Sequence, residues 1–191
     1  MTNRPAKTLL WMVFAASLAV TGCKKEDEPE PNEGELITTV ALSLTKAGST
    51  TPVTITFEDL DGPGGNAPTI TPATLTLDAN ATYSAGITAV LNKTVAMTSE
   101  DYDVLAQIKK ESADHEFFYQ VTGANLVFSG YDTDSKNPPL KLGAKAVATT
   151  AVASTGSVKI TLKHKPGKKA AGDTVNEGET DTEVVFPVAV R

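Results

Sequence analysis

Two acidic loops hold the side chains best suited to chemistry in this chain of 191 residues. The first loop carries Asp59 and Asp61, and the second carries Asp132 and Asp134. Calcium takes about six to eight oxygen ligands, and aspartates at alternate positions can turn their carboxylates to one side of a loop. Asp, Asn and Gly are also the ordinary residues of tight turns. Each loop is therefore interpreted either as a calcium site or as a plain turn, and no other cofactor is indicated.

The same aspartates are the candidates for a catalytic carboxylate pair. Glycoside hydrolysis uses two carboxyl groups about 5–10 Å apart across a cleft. If the two loops face each other at that distance, the chain is a glycan-processing enzyme or an accessory protein of one. Two acidic turns at opposite ends of a sandwich would argue against that chemistry.

The two histidines, His115 and His164, show no metal-binding spacing. His115-Glu116 begins like a zinc-protease helix, but the position that needs the second histidine is Tyr119. His164 ends an alternating run on its apolar side. We expect His164 to be partly buried and hydrogen-bonded to the backbone.

A tripeptide near the C-terminus, Asp173-Thr174-Val175, resembles the O-glycosylation motif of secreted Bacteroidota proteins. In that motif a hydroxyl residue follows an aspartate and precedes an apolar residue. The tripeptide lies in a polar stretch, residues 168–179, between two alternating runs, where a transferase could reach it. The resemblance implies a glycan on Thr174, and an unmodified polar loop is the alternative.

The one cysteine, Cys23, ends a leader. Residues 1–7 contain two basic residues and no acid, and residues 9–20 are almost wholly apolar. Twelve residues are too few to cross a bilayer core, which needs about 20, so a signal peptide over residues 1–22 is favoured. The stretch before Cys23 resembles the bacterial lipobox. The resemblance implies cleavage before Cys23 and acylation of that residue, which would anchor the protein to a membrane.

A tether over residues 23–35 follows the leader. It has two prolines, six acids and no apolar side chain able to join a core, so it stays extended. A lysine and acid cluster directly after the acylated cysteine resembles the surface-export signal of Bacteroidota lipoproteins. The resemblance implies display at the cell surface, and the periplasmic face of the outer membrane is the alternative.

Charge excludes one class of partner. The formal net charge is −6, and loss of the two basic residues of the leader lowers it by a further two units. An acidic domain repels phosphate backbones, and no basic patch with interleaved aromatic residues occurs. The sequence therefore predicts no nucleic-acid partner.

The rest of the chain, residues 36–191, alternates between apolar and polar residues. Eight runs show this pattern, and Gly, Pro, Asn and Asp clusters separate them. Period two with threonine on one side indicates half-buried strands. We predict a single all-β domain, an antiparallel β-sandwich of eight or nine strands with Ig-like or jelly-roll-like architecture.

One stretch, residues 99–112, shows a helical period instead. Apolar residues at Tyr102, Leu105 and Ile108 form a stripe, acids crowd the first turn, and lysines lie near the last. We predict one short structural helix there, capped by Thr98, that covers an end or an edge of the sheets.

Landmarks along most of the chain resemble a group of small Bacteroidota lipoproteins. These landmarks are Phe57 to Gly65, Glu111 to Tyr119, Thr161 to Pro166, Gly178 to Asp181 and Val184 to Val188. Members are often labelled "type 1 periplasmic binding fold superfamily protein". The label implies two α/β lobes, whereas the alternation predicts strands without intervening helices. We expect kinship with the group and an all-β fold.

Two functions follow from these observations. The first is a non-catalytic lipoprotein of the outer membrane, a β-sandwich module that binds a glycan or a protein or serves a structural role. It is favoured because the chain has an anchor signal, a spacer and no nucleophile elbow or phosphate loop. The second is a glycan-processing enzyme or accessory protein that uses the acidic loops.

Overall fold

The computed structural model describes residues 36–62 and 64–191. Within them the chain forms ten strands and one helix. In chain order these are β1 (Thr39–Lys46), β2 (Pro52–Glu58), β3 (Thr69–Thr71), β4 (Leu75–Leu77), β5 (Thr82–Leu91), α1 (Val104–Lys110), β6 (His115–Thr122), β7 (Leu126–Ser129), β8 (Lys145–Thr150), β9 (Ser154–His164) and β10 (Glu179–Val190). The leader 1–22, Cys23 and the tether 23–35 lie outside the described residues.

Two sheets form the domain. The first has six strands in the order β3-β2-β1-β5-β8-β7, all antiparallel to their neighbours. The second has four strands in the order β4-β10-β9-β6, and its β4–β10 pairing is parallel. The all-β sandwich is confirmed. The α/β lobes that the group label implies are not the fold of the described residues.

The core lies between the sheets, and the period-two pattern places it there. The inward residues of β1, β9 and β10 are almost fully buried: Val40, Leu42, Leu44, Val158, Ile160, Leu162, Val184, Phe186 and Val188. Successive side chains of a strand point to opposite faces, so every second residue joins the core. Burial of these large apolar side chains supplies the main driving force for folding.

The sequence pattern does not predict two of the strands, β3 and β8. β3 has only three residues, and β8 turns Ala146, Ala148 and Thr150 inward. Alanine and threonine carry too little hydrophobic contrast to signal a strand, whereas larger residues in the same places would have done so. In the sheet, β8 is held by its register with β5 and β7 on either side.

The predicted helix is present but shorter. α1 spans Val104–Lys110 and buries Val104, Leu105 and Ile108, and residues 98–102 form turns. Its N-cap is Asp103, whose carboxylate accepts the N–H of Ala106, so the cap expected at Thr98 is wrong. An isolated bridge between Leu91 and Asp103 ties the start of the helix to β5, and this leaves the preceding residues as a connection.

The two ends of the sandwich differ. At one end, named here the hairpin end, lie the short connections at residues 47–51, 78–81, 123–125 and 151–153. At the other, named the loop end, lie residues 92–103, 130–144 and 165–178, and β1 begins there. Among the described residues no helix is both long and apolar enough for a membrane span.

Candidate functional site

A set of charged side chains is buried at the loop end. It comprises Glu116, Asp134, Lys165, Lys169 and Asp173, named here the buried ion network. Glu116 belongs to β6, Asp134 to the loop after β7, and the other three to the connection between β9 and β10. Charged groups are rarely buried unless they are paired, so the network constrains how these three segments meet.

Lys165 is the centre of the network. Its side chain is 1% exposed, and its Nζ donates to Oε2 of Glu116 at 2.8 Å and to Oδ2 of Asp173 at 3.1 Å. The Nζ atom also lies 4.7 Å from the centroid of the Phe118 ring. A cation is therefore held between two carboxylates and an aromatic face with almost no access to water.

Strand alternation explains why Glu116 faces Lys165. Phe117 faces the core, so Glu116 and Phe118 lie on the outer face of the four-stranded sheet. Both are nevertheless buried, because the connection after β9 folds back over that face. Its return is fixed by Gly178, which has a φ of 81°, and a Cβ there would lie 2.6 Å from the carbonyl oxygen of His164. The absence of a side chain at Gly178 lets the backbone pass close to Lys165.

Lys169 and Asp134 form the second pair. Their side chains are 1% and 0% exposed, and Lys169 Nζ donates to Oδ2 of Asp134 at 2.9 Å and to the Ser112 carbonyl at 2.8 Å. Oδ1 of Asp134 accepts the backbone N–H groups of Lys136 and Leu140. Burial alone would raise the pKa of Asp134, but these hydrogen bonds and the Lys169 ammonium outweigh it and lower the pKa.

Lys141 closes the network on its open side. Its Nζ lies 3.0 Å from Oε1 of Glu116 and 4.2 Å from the Phe118 ring centroid. Glu116 therefore accepts from two lysines, one on each oxygen, and Phe118 is placed beside both ammonium groups. Asp173 receives the backbone N–H of Ala170 in addition to Lys165. Burial acts to raise the pKa of Asp173, yet these donors lower it overall.

The two histidines meet on the inner face of the same strands. His115 and His164 are paired in register, and their rings stack with centroids 4.6 Å apart. His115 Nδ1 lies 3.0 Å from the Glu111 carbonyl, and its Nε2 lies 3.9 Å from Asp181. The expected backbone bond of His164 is wrong. His115 makes that bond, and Nδ1 of His164 has no hydrogen-bond partner among the described residues.

The first acidic loop is an internally bonded turn. Asp59 accepts the N–H of Gly62, and Asp61 accepts both the backbone and the side-chain N–H of Asn66. The Asn66 donors lower the pKa of Asp61. In the second loop Asp132 accepts the N–H of Lys145, and Asp134 faces Lys169.

The carboxylates of the two loops do not converge on each other. Asp59 continues β2 and Asp132 continues β7, which are separated by β1, β5 and β8. Four interstrand spacings of about 4.8 Å separate the axes of β2 and β7 by roughly 19 Å. This exceeds the separation of a glycosidase pair.

No grouping of three His, Cys, Asp or Glu side chains suited to a metal ion occurs within residues 36–62 and 64–191, and calcium binding by either loop stays a prediction.

Thr174 is exposed on the connection between β9 and β10. Its hydroxyl group donates to Oε2 of Glu177 at 2.6 Å, and the preceding Asp173 is engaged with Lys165. The position is open to solvent, and glycosylation there stays a prediction.

A shallow groove lies at the hairpin end. It encloses about 290 Å³ and is lined by residues 124–127 and 149–151, where β7 forms the edge of the six-stranded sheet. Val127 and Val152 are each 63% exposed beside it. Asn125 is one of the lining residues, and its backbone N–H donates to Oγ of Ser154 while its side chain donates to the Val152 carbonyl.

The buried lysines escaped prediction from sequence. Lys163 to Lys169 reads as a polar connection after a strand, and nothing in its composition marks which lysines turn inward. One signal was present: Glu116 directly precedes three aromatic residues on β6, and it lies opposite Lys163 once the strands are paired. Only the pairing of β6 with β9 reveals it.

Comparison of the chain with protein-family models, with curated proteins and with solved structures finds no match.

The Lys169–Asp134 pair yields a coupling prediction. Lys169→Met leaves a buried carboxylate without its cation, and we expect the free energy of unfolding to fall by about 3–5 kcal/mol. Asp134→Asn keeps an oxygen for the Lys136 and Leu140 N–H groups, so the double variant should be more stable than Lys169→Met alone. Urea denaturation measures all three proteins.

The control for that cycle is Lys46→Met, which breaks an ion pair with Asp78 that is 46% and 65% exposed. It should cost no more than about 1 kcal/mol. Strictly additive losses at Lys169 and Asp134 would contradict the coupling.

Asp134 also predicts how stability depends on pH. Its folded pKa is lowered, so its contribution is present above the unfolded value of about 3.9 and is lost as the pH falls through the folded pKa. We expect the free energy of unfolding to drop more steeply below about pH 4 in the wild type than in Asp134→Asn. Parallel slopes in urea titrations from about pH 6 to 3 would refute this.

Proposed function

We propose that the protein is a lipid-anchored lipoprotein of the outer membrane, displayed at the cell surface, whose β-sandwich is a non-catalytic binding or structural module. Acyl chains on Cys23 attach it to the membrane, and residues 24–35 serve as the spacer. The periplasmic face of the same membrane is the alternative location.

The observation that carries the proposal is the difference between the two ends of the sandwich. β1 starts with Thr39 at the loop end, so a tether over residues 23–35 joins the domain at that end. The hairpin end is the opposite end of the sandwich from the start of β1. A glycan or protein ligand would bind at this hairpin end, where the groove and the exposed Val127 and Val152 lie.

The arrangement of charges supports a role without catalysis. Glu116, Asp134 and Asp173 are committed to lysines, and their carboxylates are turned away from solvent. Asp59 and Asp61 are committed to turns. Side chains that hold loops in this way make a rigid scaffold, and such a scaffold suits a module that presents a surface.

The anchor gives a direct prediction. Cys23→Ser removes the sulfur that would take the acyl group, so we expect an uncleaved or soluble product without incorporated lipid. Ser17→Ala in the leader is the matched control and should leave acylation intact. Labelled fatty acid and membrane fractionation give the readout. Equal lipid labelling of Cys23→Ser and the wild type would contradict the anchor.

Display at the surface can be tested with one new thiol. Cys23 is the single cysteine and would be acylated, so an exposed Thr50→Cys at the hairpin end is the one free thiol. A membrane-impermeant maleimide should label it on intact cells, whereas Ala148→Cys, 0% exposed, stays unlabelled. Labelling only after the outer membrane is opened would place the domain on the periplasmic face. Replacing Glu26, Asp27 and Glu28 by Ala should produce that same result if these acids form the export signal.

A further inference from the structure

The surroundings of Lys165 bring an amine, a carboxyl group and a second carboxyl group into one dry site. Lys165 Nζ lies 3.1 Å from Oδ2 of Asp173 and 2.8 Å from Oε2 of Glu116. The side chain of Lys165 is 1% exposed, that of Glu116 is 4% exposed, and that of Asp173 is 12% exposed. An amine and a carboxyl group can join to form an amide, and the second carboxyl group can carry a proton between them.

We propose that Lys165 and Asp173 condense to an intramolecular amide, with Glu116 as the proton carrier. A proton passes from the Lys165 ammonium through Glu116 to the Asp173 carboxyl group, which leaves a neutral amine and a neutral acid. The lone pair of Nζ attacks Cγ of Asp173, and the new C–N bond forms as one C–O bond breaks. The amine gives up a hydrogen, the acid gives up a hydroxyl group, and water leaves. No oxidant or co-reactant is needed.

Proximity favours this condensation. Amide formation between separate molecules in water is limited by the cost of bringing them together. Reactive groups held in contact have effective concentrations on the order of 10⁵ M or more. Lys165 is fixed by two hydrogen-bonded neighbours and by the N–H it donates to the Asp114 carbonyl, and Asp173 is fixed by Ala170. The folded chain thus presents the amine to the carboxyl group.

Burial adds a second favourable effect. A buried ion pair carries a large desolvation cost because both of its charges have been removed from water. An amide carries no charge and does not have this cost. The Phe118 ring beside Nζ keeps water from the amine. Condensation therefore relieves the site of one buried cation and one buried anion.

Glu116 and the Ala170 N–H assist the reaction, the first as proton carrier and the second as hydrogen-bond donor to Asp173. Burial acts to raise the pKa of Asp173, but the donors on Lys165 and Ala170 lower it overall, so its protonation before the attack is uphill. Glu116 provides a path for that proton. Glu116 touches the ammonium with one oxygen while Lys141 holds the other oxygen in place. The Ala170 N–H, 3.0 Å from Oδ2 of Asp173, stabilises the negative charge that develops on the attacked carboxyl group.

Trypsin mapping of the full chain tests the bond without any variant. Lys165 precedes proline, so cleavage releases residues 164–168 and residues 170–191 as separate peptides. An amide joins them into one branched peptide that is lighter by one water molecule than their sum. Fragment spectra should place the branch at Lys165 and Asp173. Two separate peptides of unmodified mass overturn the proposal, and so does a branch from Lys165 to residues 111–136, which contain Glu116.

Variants test the assigned roles. Asp173→Ala should abolish the branched peptide, and Glu116→Gln should reduce its yield at least tenfold while far-ultraviolet circular dichroism confirms the folded sandwich. Asp78→Asn is the matched control, since it breaks an exposed ion pair with Lys46 and leaves the buried ion network untouched. It should retain the branch in full. A full yield in folded Glu116→Gln would overturn the role of Glu116 as proton carrier.

Discussion

The contact between Lys165 and Glu116 is the interaction on which the loop end depends. Glu116 lies on the outer face of β6, and burial of a lone carboxylate there would be costly. Lys165 supplies the compensating charge only if the connection after β9 folds back across the sheet. The same movement brings Lys169 to Asp134. One buried charge thus fixes the positions of two long loops.

Packing has to hold the rest together, because the one cysteine rules out an internal disulfide. The sheets meet through large aliphatic and aromatic side chains, with Phe117 and Phe186 almost fully buried. Tyr119 joins them from the edge, where it stacks on Phe128 and donates to the Gly143 carbonyl. Its burial raises the pKa of its hydroxyl group, so it remains a neutral donor. Apolar packing and buried ion pairs therefore share the stabilisation.

The fold could be predicted from the sequence wherever large residues alternate, and the site could not. The alternation of large apolar residues predicts a strand at Val158, Ile160 and Leu162. Ala146 and Ala148 on β8 are also buried, but they are too small to give such a signal. The helix was visible from its apolar stripe, but its start depends on the bridge of Asp103 to Leu91, a contact distant in sequence. Lys165 and Lys169 have the composition of a solvated loop. Their burial is decided by carboxylates on other strands, which a local pattern does not contain.

The parallel pairing of β4 with β10 joins an early segment to the last strand of the chain. The Arg191 N–H donates to Leu77, and the Arg191 carbonyl accepts from Ala79. β10 is central in its sheet, with β9 on its other side, so that sheet stays incomplete until residues 179–190 are present. Contacts so distant in sequence form late and slowly. Because of this topology, the second sheet remains open during synthesis until residues 179–190 have been made.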